Sequence, residues 1–144
     1  MKPDLLKHIE ANYNHYKHPD INNLVDFTDM IHDIVQQPNK VPNFDVVFID
    51  EAQDLSLLQW EMIKALQPHA KDIYIAGDDD QCIYKWSGAD INHFLGIEGT
   101  HRVLDKSYRL PKKIWALGQA ITSTISNRFT KEWSPREEEG NAEW

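Results

Sequence analysis

A chain of 144 residues with 41% hydrophobic side chains carries enough apolar material for one compact domain, which excludes wholesale disorder and leaves too little length for two ordinary domains. A formal net charge of −8 excludes a uniformly basic surface, yet Arg102, Lys106, Arg109, Lys112 and Lys113 are accompanied only by Asp105 and could still form a basic face. Cys82 is the only cysteine, which excludes an internal disulfide and a cysteine-built metal centre.

From the N-terminus, Met1-Lys2-Pro3-Asp4 opens no signal-peptide core, and no apolar run reaches the roughly 18–20 residues that span a bilayer. A soluble, cytoplasmic protein without a membrane partner is expected. Leu5, Leu6, Ile9, Tyr13 and Tyr16 recur at helical spacing, and His18-Pro19-Asp20 supplies a break. Asn23 is positioned to cap a second helix, with Leu24, Phe27, Met30, Ile31 and Ile34 as its apolar stripe. Pro38 and Pro42 then impose a loop.

Val46-Val47-Phe48-Ile49 is a continuous apolar run that stops at Asp50, the pattern of a strand covered on both faces. Ser56 and Gln59 have capping-box spacing, and Leu58, Met62, Ile63 and Leu66 give a helical stripe that ends before Pro68. A second strand, Ile73-Tyr74-Ile75-Ala76, stops at Gly77-Asp78. Strand, helix and strand form a βαβ unit, and in parallel sheets ligands collect beyond the carboxyl ends of the strands. Arg102-Val103-Leu104 is a third strand candidate. Pro111 suits the first turn of a final helix carrying Ile114, Leu117, Ile121 and Ile125 on one side, and the last dozen residues read as a loose polar tail. The fold class is therefore α/β, a partial parallel sheet of about three strands flanked by helices.

Two segments carry the chemistry. Asp50 and Glu51 place adjacent carboxylates at a strand tip, where one can take magnesium, which keeps several waters, and the other can activate an attacking water. The plainer reading is a strand that ends in polar residues. In the second segment, Asp78, Asp79 and Asp80 repel one another unless something offsets them, and Gln81 can donate to a phosphate oxygen. Tyr84 and Trp86 project from one face if the stretch is extended, and with Lys85 they would make a stacking platform for unpaired bases. The alternative places both rings in the core beneath a loop.

Asp50-Glu51-Ala52-Gln53-Asp54 followed by Gly77-Asp78-Asp79-Asp80-Gln81-Cys82-Ile83-Tyr84-Lys85-Trp86-Ser87-Gly88-Ala89 resembles motifs II and III of the UvrD/Rep/PcrA-type superfamily-one DNA helicases. Leu104-Asp105-Lys106-Ser107-Tyr108-Arg109 resembles their motif IV, and Asp26-Phe27-Thr28-Asp29-Met30 resembles the segment before motif II. The resemblance covers roughly residues 22–140. It implies a RecA-like fold of P-loop NTPase type, with residues 1–40 a helical segment before the motor core, 41–110 a motor-domain portion, and 111–144 a helix and polar tail toward a second motor domain. It implies ATP and Mg2+ as cofactors and single-stranded DNA as partner. By the same resemblance Asp50 holds magnesium, Glu51 activates water, Gln81 senses the γ-phosphate, Arg109 acts as an arginine finger and Tyr108 stacks on adenine. Tyr84, Lys85 and Trp86 contact single-stranded DNA; Gln53 and Asp54 support the acidic loop.

The sequence departs from this pattern in places. Ser87 stands where the family usually has Arg, Ser107 where Asn is common, and Leu110 where a small polar residue is usual. No Gly-Lys-Ser or Gly-Lys-Thr occurs, and the first glycine is Gly77, so no phosphate-wrapping loop precedes Asp50. The chain thus corresponds to an internal piece of such a motor, and its expected partner is the helicase portion carrying the Walker A loop. Two further readings stand beside this one, a non-catalytic single-strand binding module and a metal-dependent phosphoesterase built on the carboxylates.

Overall fold

The computed structural model describes residues 3–18 and 20–141, so Pro19, the expected helix breaker, lies outside the described residues. The elements fall into two compact units, Met1–Asp45 with Leu58–Asp72, and Val46–Leu57 with Ile73–Trp144.

In the first unit, helix α1 spans Pro3–Lys17 and helix α2 spans Phe27–Gln36. The cap of α2 is Asp26, not Asn23. An N-cap residue has extended backbone, as Asp26 does with φ −101° and ψ 176°, whereas Asn23 sits in the left-handed region at φ 51°. Asp26 and Asp29 form a reciprocal capping box, each carboxylate accepting the other's backbone N–H at 2.9 and 3.0 Å. Lys17 Nζ bonds both carboxylates at 2.9 Å and Tyr13 donates to Asp26, which joins α1 to α2 by charge and not by apolar packing. Backbone hydrogen bonds first, then Lys17, hold both aspartates below the ordinary carboxylate range. The α1 stripe is helical as expected but uncovered, with Leu5, Leu6 and Ile9 each about half exposed.

Strand β1 (Phe44–Ile49), helix α3 (Leu57–Leu66) and strand β2 (Ala70–Ile75) follow in order, within three residues of the expected bounds. The pairs Asn43/His69, Asp45/Lys71 and Phe48/Tyr74 all join residues 26 apart in sequence, the constant offset of a parallel register. The sheet has two strands among the described residues, not about three. Residues 102–104 enter no ladder, because the backbone that follows them pairs elsewhere: Ser107 donates to the Ser134 carbonyl at 2.8 Å, and Ser134 donates to the Asp105 carbonyl at 2.9 Å. The expectation that β1 is covered on both faces also fails. A two-stranded sheet gives Phe48 one stacking partner, Tyr74 at 5.2 Å, and Phe48 remains 77% exposed.

The core of the second unit is small. Ala52, Gln53, Ile91 and Phe94 are buried, the last two on a five-residue helix α4 (Ile91–Leu95) that Asp90 caps through the Asn92 N–H. Phe94 packs edge-on against Phe129 at 5.9 Å. Helix α5 spans Lys112–Thr122; Pro111 is its N-cap residue and Ile125 lies beyond its end. The described part of the expected loose tail is tied down. Helix N-termini leave backbone donors without partners, and here Lys112 and Lys113 donate to the Glu138 and Glu139 carbonyls at 3.0 Å, while Arg136 N–H donates to the Leu110 carbonyl.

Candidate functional site

The carboxyl ends of β1 and β2 lie side by side, joined by Ala76 N–H to the Ile49 carbonyl at 2.8 Å and Ala52 N–H to the Ala76 carbonyl at 3.0 Å. Each end turns sharply into a single 3-10 turn, Ala52–Asp54 after β1 and Asp79–Gln81 after β2. Glu51 makes the first turn with φ 52° and ψ 39°, a left-handed conformation that costs a residue with a side chain about 1–3 kcal/mol and recurs at functional positions. Asp50 accepts the Glu51 N–H on Oδ1 at 2.9 Å; its Oδ2 accepts no hydrogen bond from a described residue.

Gln53, 1% exposed, sits at the centre of this edge. Its Nε2 donates to Glu51 Oε2 at 2.8 Å, and its Oε1 accepts the Asp78 backbone N–H at 2.9 Å. The Gln53 carbonyl also accepts from the Cys82 thiol, which burial pushes up in pKa. Gly77 makes the arrangement possible, because a Cβ there would lie 2.7 Å from Gln53 Oε1 and 2.9 Å from Phe94 Cζ. Gln81 donates through Nε2 to Asp78 Oδ2 at 2.7 Å. Glu51 and Gln81 are therefore linked through two intermediaries, Gln53 and Asp78. Sequence reasoning gave Gln53 only a supporting part; its side chain joins the two acidic segments.

The three aspartates are offset by cations that sequence reasoning missed. Lys131 Nζ bonds Asp78 Oδ1 and Asp79 Oδ1 at 2.5 Å and lies 3.2 Å from Asp80 Oδ2; Arg128 Nη2 bonds Asp80 Oδ2 at 2.7 Å. Phe129 N–H also donates to Asp79 Oδ2 at 2.7 Å, and Asp79 is buried. Burial opposes the charge on Asp78, but hydrogen bonds from Lys131 and Gln81 outweigh it and lower its pKa; burial likewise opposes the charge on Lys131, and its bonds to Asp78 and Asp79 outweigh it and raise its pKa. The signal in the sequence was the unbalanced triad itself, with Arg128 and Lys131 three residues apart between the final helix and the polar tail.

Tyr84 and Trp86 are brought together, though by a 3-10 turn over Lys85–Ser87 and not by an extended stretch. Their ring centroids are 6.2 Å apart and tilted by 58°. They are 44% and 82% exposed, which removes the core reading, and Lys85 between them is also exposed. Tyr108 is 82% exposed with Lys106 Nζ 5.5 Å from its ring centre, and it lines a shallow cavity of about 300 Å³ with Lys106, Arg136, Glu137 and Glu138. Arg109 is exposed. No hydrogen bond, ion pair or ring contact among the described residues joins Tyr108 or Arg109 to Asp50, Glu51 or Gln81. The basic run is partly neutralised, since Lys112 pairs with Glu139 at 3.0 Å.

Magnesium needs one or two carboxylates and otherwise keeps its waters. Asp50, exposed at a strand tip with one oxygen uncommitted, fits that donor set, and Asp54 Oδ1 is buried without a hydrogen-bond partner in the same acidic loop. Among the described residues no group of three or more His, Cys, Asp or Glu side chains is arranged to hold a metal ion, and no helix is long and apolar enough to cross a membrane.

Residues 2–102 match the UvrD/REP helicase N-terminal domain. Over 131 residues the chain is 30% identical to the ATP-dependent DNA helicase PcrA of Bacillus subtilis, covering 81% of this chain and 18% of that protein. It is 36% identical over 121 residues to the ATP-dependent DNA helicase srs2 of Schizosaccharomyces pombe, covering 76% and 13%. A probable DNA helicase II homolog of Mycoplasma capricolum is 32% identical over 124 residues, covering 77% and 17%. The chain thus spans less than a fifth of the length of these curated relatives. Both motif-bearing strand ends and the aromatic pair lie inside the matched region, and the chain belongs to the UvrD/REP helicase family, in the region of its N-terminal domain.

Proposed function

We propose that this chain supplies the magnesium-and-water half of an ATP-driven DNA helicase motor, together with a stacking platform for single-stranded DNA. The observation that carries the reading is the connection of Glu51 to Gln81 through Gln53 and Asp78 at two adjacent strand ends. In this reading Asp50 holds Mg2+, which would neutralise phosphate charge when bound with ATP. Glu51 orients and deprotonates the attacking water, and Gln81 contacts the γ-phosphate. Arg109 stabilises transition-state charge and Tyr108 stacks on adenine, both reaching the nucleotide only in the completed motor. Residues 1–40 precede the motor core, 41–110 form the RecA-like portion, and 111–144 lead toward a second motor domain. The phosphate-wrapping loop comes from another portion of the helicase, and the cytoplasm is the compartment that fits the parent activity.

A second reading, a non-catalytic single-strand binding module, is favoured by one specific observation, the exposed Tyr84–Trp86 pair beside Lys85. The phosphoesterase reading loses ground because Lys131 and Arg128 already engage the Asp78–Asp80 carboxylates.

The test combines binding and turnover. The chain is expected to bind a fluorescent oligo-dT with an affinity that falls as salt rises, and to hydrolyse ATP at background rate. Replacing Tyr84 and Trp86 together with Ala should cost about 1–3 kcal/mol per stacked base. Unchanged affinity in that variant would remove the platform from both readings. DNA-stimulated hydrolysis by the chain alone, lost in Glu51→Gln, would refute the need for a phosphate loop from elsewhere.

A further inference from the structure

We propose that Lys131 is a positioning residue for Gln81, acting through Asp78, so that the orientation of the Gln81 amide depends on the segment that follows α5. The inference deepens the reading of Gln81 as the γ-phosphate contact, and its consequence for turnover rests on that reading.

The geometry is a branched hydrogen-bond chain centred on Asp78. Asp78 uses Oδ1 for Lys131 at 2.5 Å and Oδ2 for the Gln81 amide at 2.7 Å, while its backbone N–H is held by Gln53. Oδ1 also accepts the Asp80 N–H at 3.2 Å. Held at Oδ1 by both Lys131 and the Asp80 N–H, the carboxylate is restricted in rotation, which keeps Oδ2 near one position. Gln81 is an exposed side chain, and among the described residues that oxygen is the one hydrogen-bond partner of its amide. With one Nε2 proton committed there, the rotamers open to the amide are limited to those that keep this bond. A glutamine without this anchor would distribute over several rotamers, and a preorganised donor is worth far more to a developing charge than a mobile one.

Lys131 is suited to the task because it is itself confined. Its side chain is 12% exposed and bonds three carboxylates, and Arg128 holds the third of them at the same oxygen while donating to the Thr122 carbonyl at the end of α5. The charged groups facing Asp78 are thus Lys131 and the carboxylates of Asp79 and Asp80, with Arg128 one step removed. The link from α5 to Gln81 runs through Arg128, Asp80, Lys131 and Asp78.

The test is nuclear magnetic resonance on the intact chain, reading the Gln81 side-chain amide against that of Gln36, an exposed glutamine in α2. In the unsubstituted chain the Gln81 Nε2 protons are expected to exchange with solvent about tenfold more slowly than those of Gln36. Lys131→Met is expected to abolish that difference, and Lys131→Arg to restore most of it. A Gln81 signature that persists in Lys131→Met, even with a lowered melting temperature, would overturn the proposal and leave Lys131 a purely structural counter-ion. Should Lys131→Met not fold, an acid titration of the unsubstituted chain decides the matter. The Gln81 amide shift must then follow the Asp78 carboxyl carbon with the same midpoint, and an amide that ignores Asp78 protonation overturns the proposal. None of these readouts uses nucleotide or DNA, so failure of the helicase reading is seen separately, in the binding and turnover assays.

Discussion

Gly77 is where the packing of the acidic edge can be tested most sharply. A Cβ added there would meet Gln53 Oε1 at 2.7 Å, Phe94 Cζ at 2.9 Å and Phe94 Cε2 at 3.0 Å. Neither neighbour can swing aside, since Gln53 is 1% and Phe94 8% exposed, and Phe94 is backed by Phe129. Overpacking of this kind costs about 1–3 kcal/mol. Pushing Gln53 away also strands the Asp78 N–H and the buried amide, a further cost of about 1–3 kcal/mol. Loss of glycine's freedom in the unfolded chain offsets only about 0.4–1 kcal/mol. Gly77→Ala is therefore expected to destabilise by roughly 1–5 kcal/mol, or about 3–15 °C at roughly 3 °C per kcal/mol for a chain of this size. The assay is thermal unfolding followed by far-ultraviolet circular dichroism. Gly118→Ala is the control, because it lies within α5 with nothing inside 4 Å of the added atom, and should stabilise by up to about 1 kcal/mol. Equal melting temperatures for the two variants would refute the close packing of Gln53 and Phe94 over Gly77.

Two further outcomes follow from burial and charge. Trp60, 4% exposed, should cost about 3–5 kcal/mol on truncation to Ala. Phe48, 77% exposed with one stacked partner, should cost no more than about 1.5 kcal/mol, and urea unfolding that ranked the two in the opposite order would mean the β1 face is covered in solution. Asp26, Asp29, Asp78 and Asp90 are all held below their ordinary value of 3.8, so their contribution is complete above that value and lost as pH falls through the lower folded values. The raised pKa of Lys131 has the opposite sense, complete below 10.5 and lost as pH rises beyond it. Urea midpoints should therefore be level between about pH 5 and 8 as far as these groups are concerned, and fall below about pH 4; a midpoint that rises on acidification would contradict the carboxylate network.

Much of the fold was legible where the signal is local. The β1–α3–β2 succession could be read because a short apolar run ending at Asp50, a helical stripe and a second run ending at Gly77 each announce themselves within a few residues. The cap of α2 could not. Asn23 and Asp26 are equally good caps by residue type, and the structure uses Asp26 in a capping box with Asp29, to which Tyr13 and Lys17 of α1 add hydrogen bonds. The short helix α4 leaves too few positions for a periodic pattern, and the tail is fixed by carbonyls of Glu138 and Glu139 meeting the start of α5 some 26 residues earlier. In the candidate site, the residue types of motifs II and III named Asp50, Glu51, Gln81, Tyr84 and Trp86. The partners that orient them, Gln53 across 25 residues and Lys131 across 53, are non-local and carry no periodic mark.

Those non-local partners also separate two acidic clusters that look alike as sequence. Asp78, Asp79 and Asp80 would repel one another in isolation, yet each is engaged by Lys131 and one also by Arg128, although Asp80 Oδ1 is itself buried without a hydrogen-bond partner. Asp50 and Glu51 have no such counter-charge among the described residues. Asp50 takes a backbone N–H, Glu51 takes the neutral amide of Gln53, and Asp54 Oδ1 is buried without a partner. A buried charge is costly unless it is paired, whereas exposed carboxylates such as Asp50 and Glu51 carry no such cost. The first cluster is therefore paired by internal cations, and the second lies beside a left-handed backbone at Glu51 with no internal cation among the described residues. That contrast fits the proposed motor, in which the external cation goes to Asp50 and the reactive water to Glu51, and it fits the proposed part of the aspartate triad in positioning Gln81.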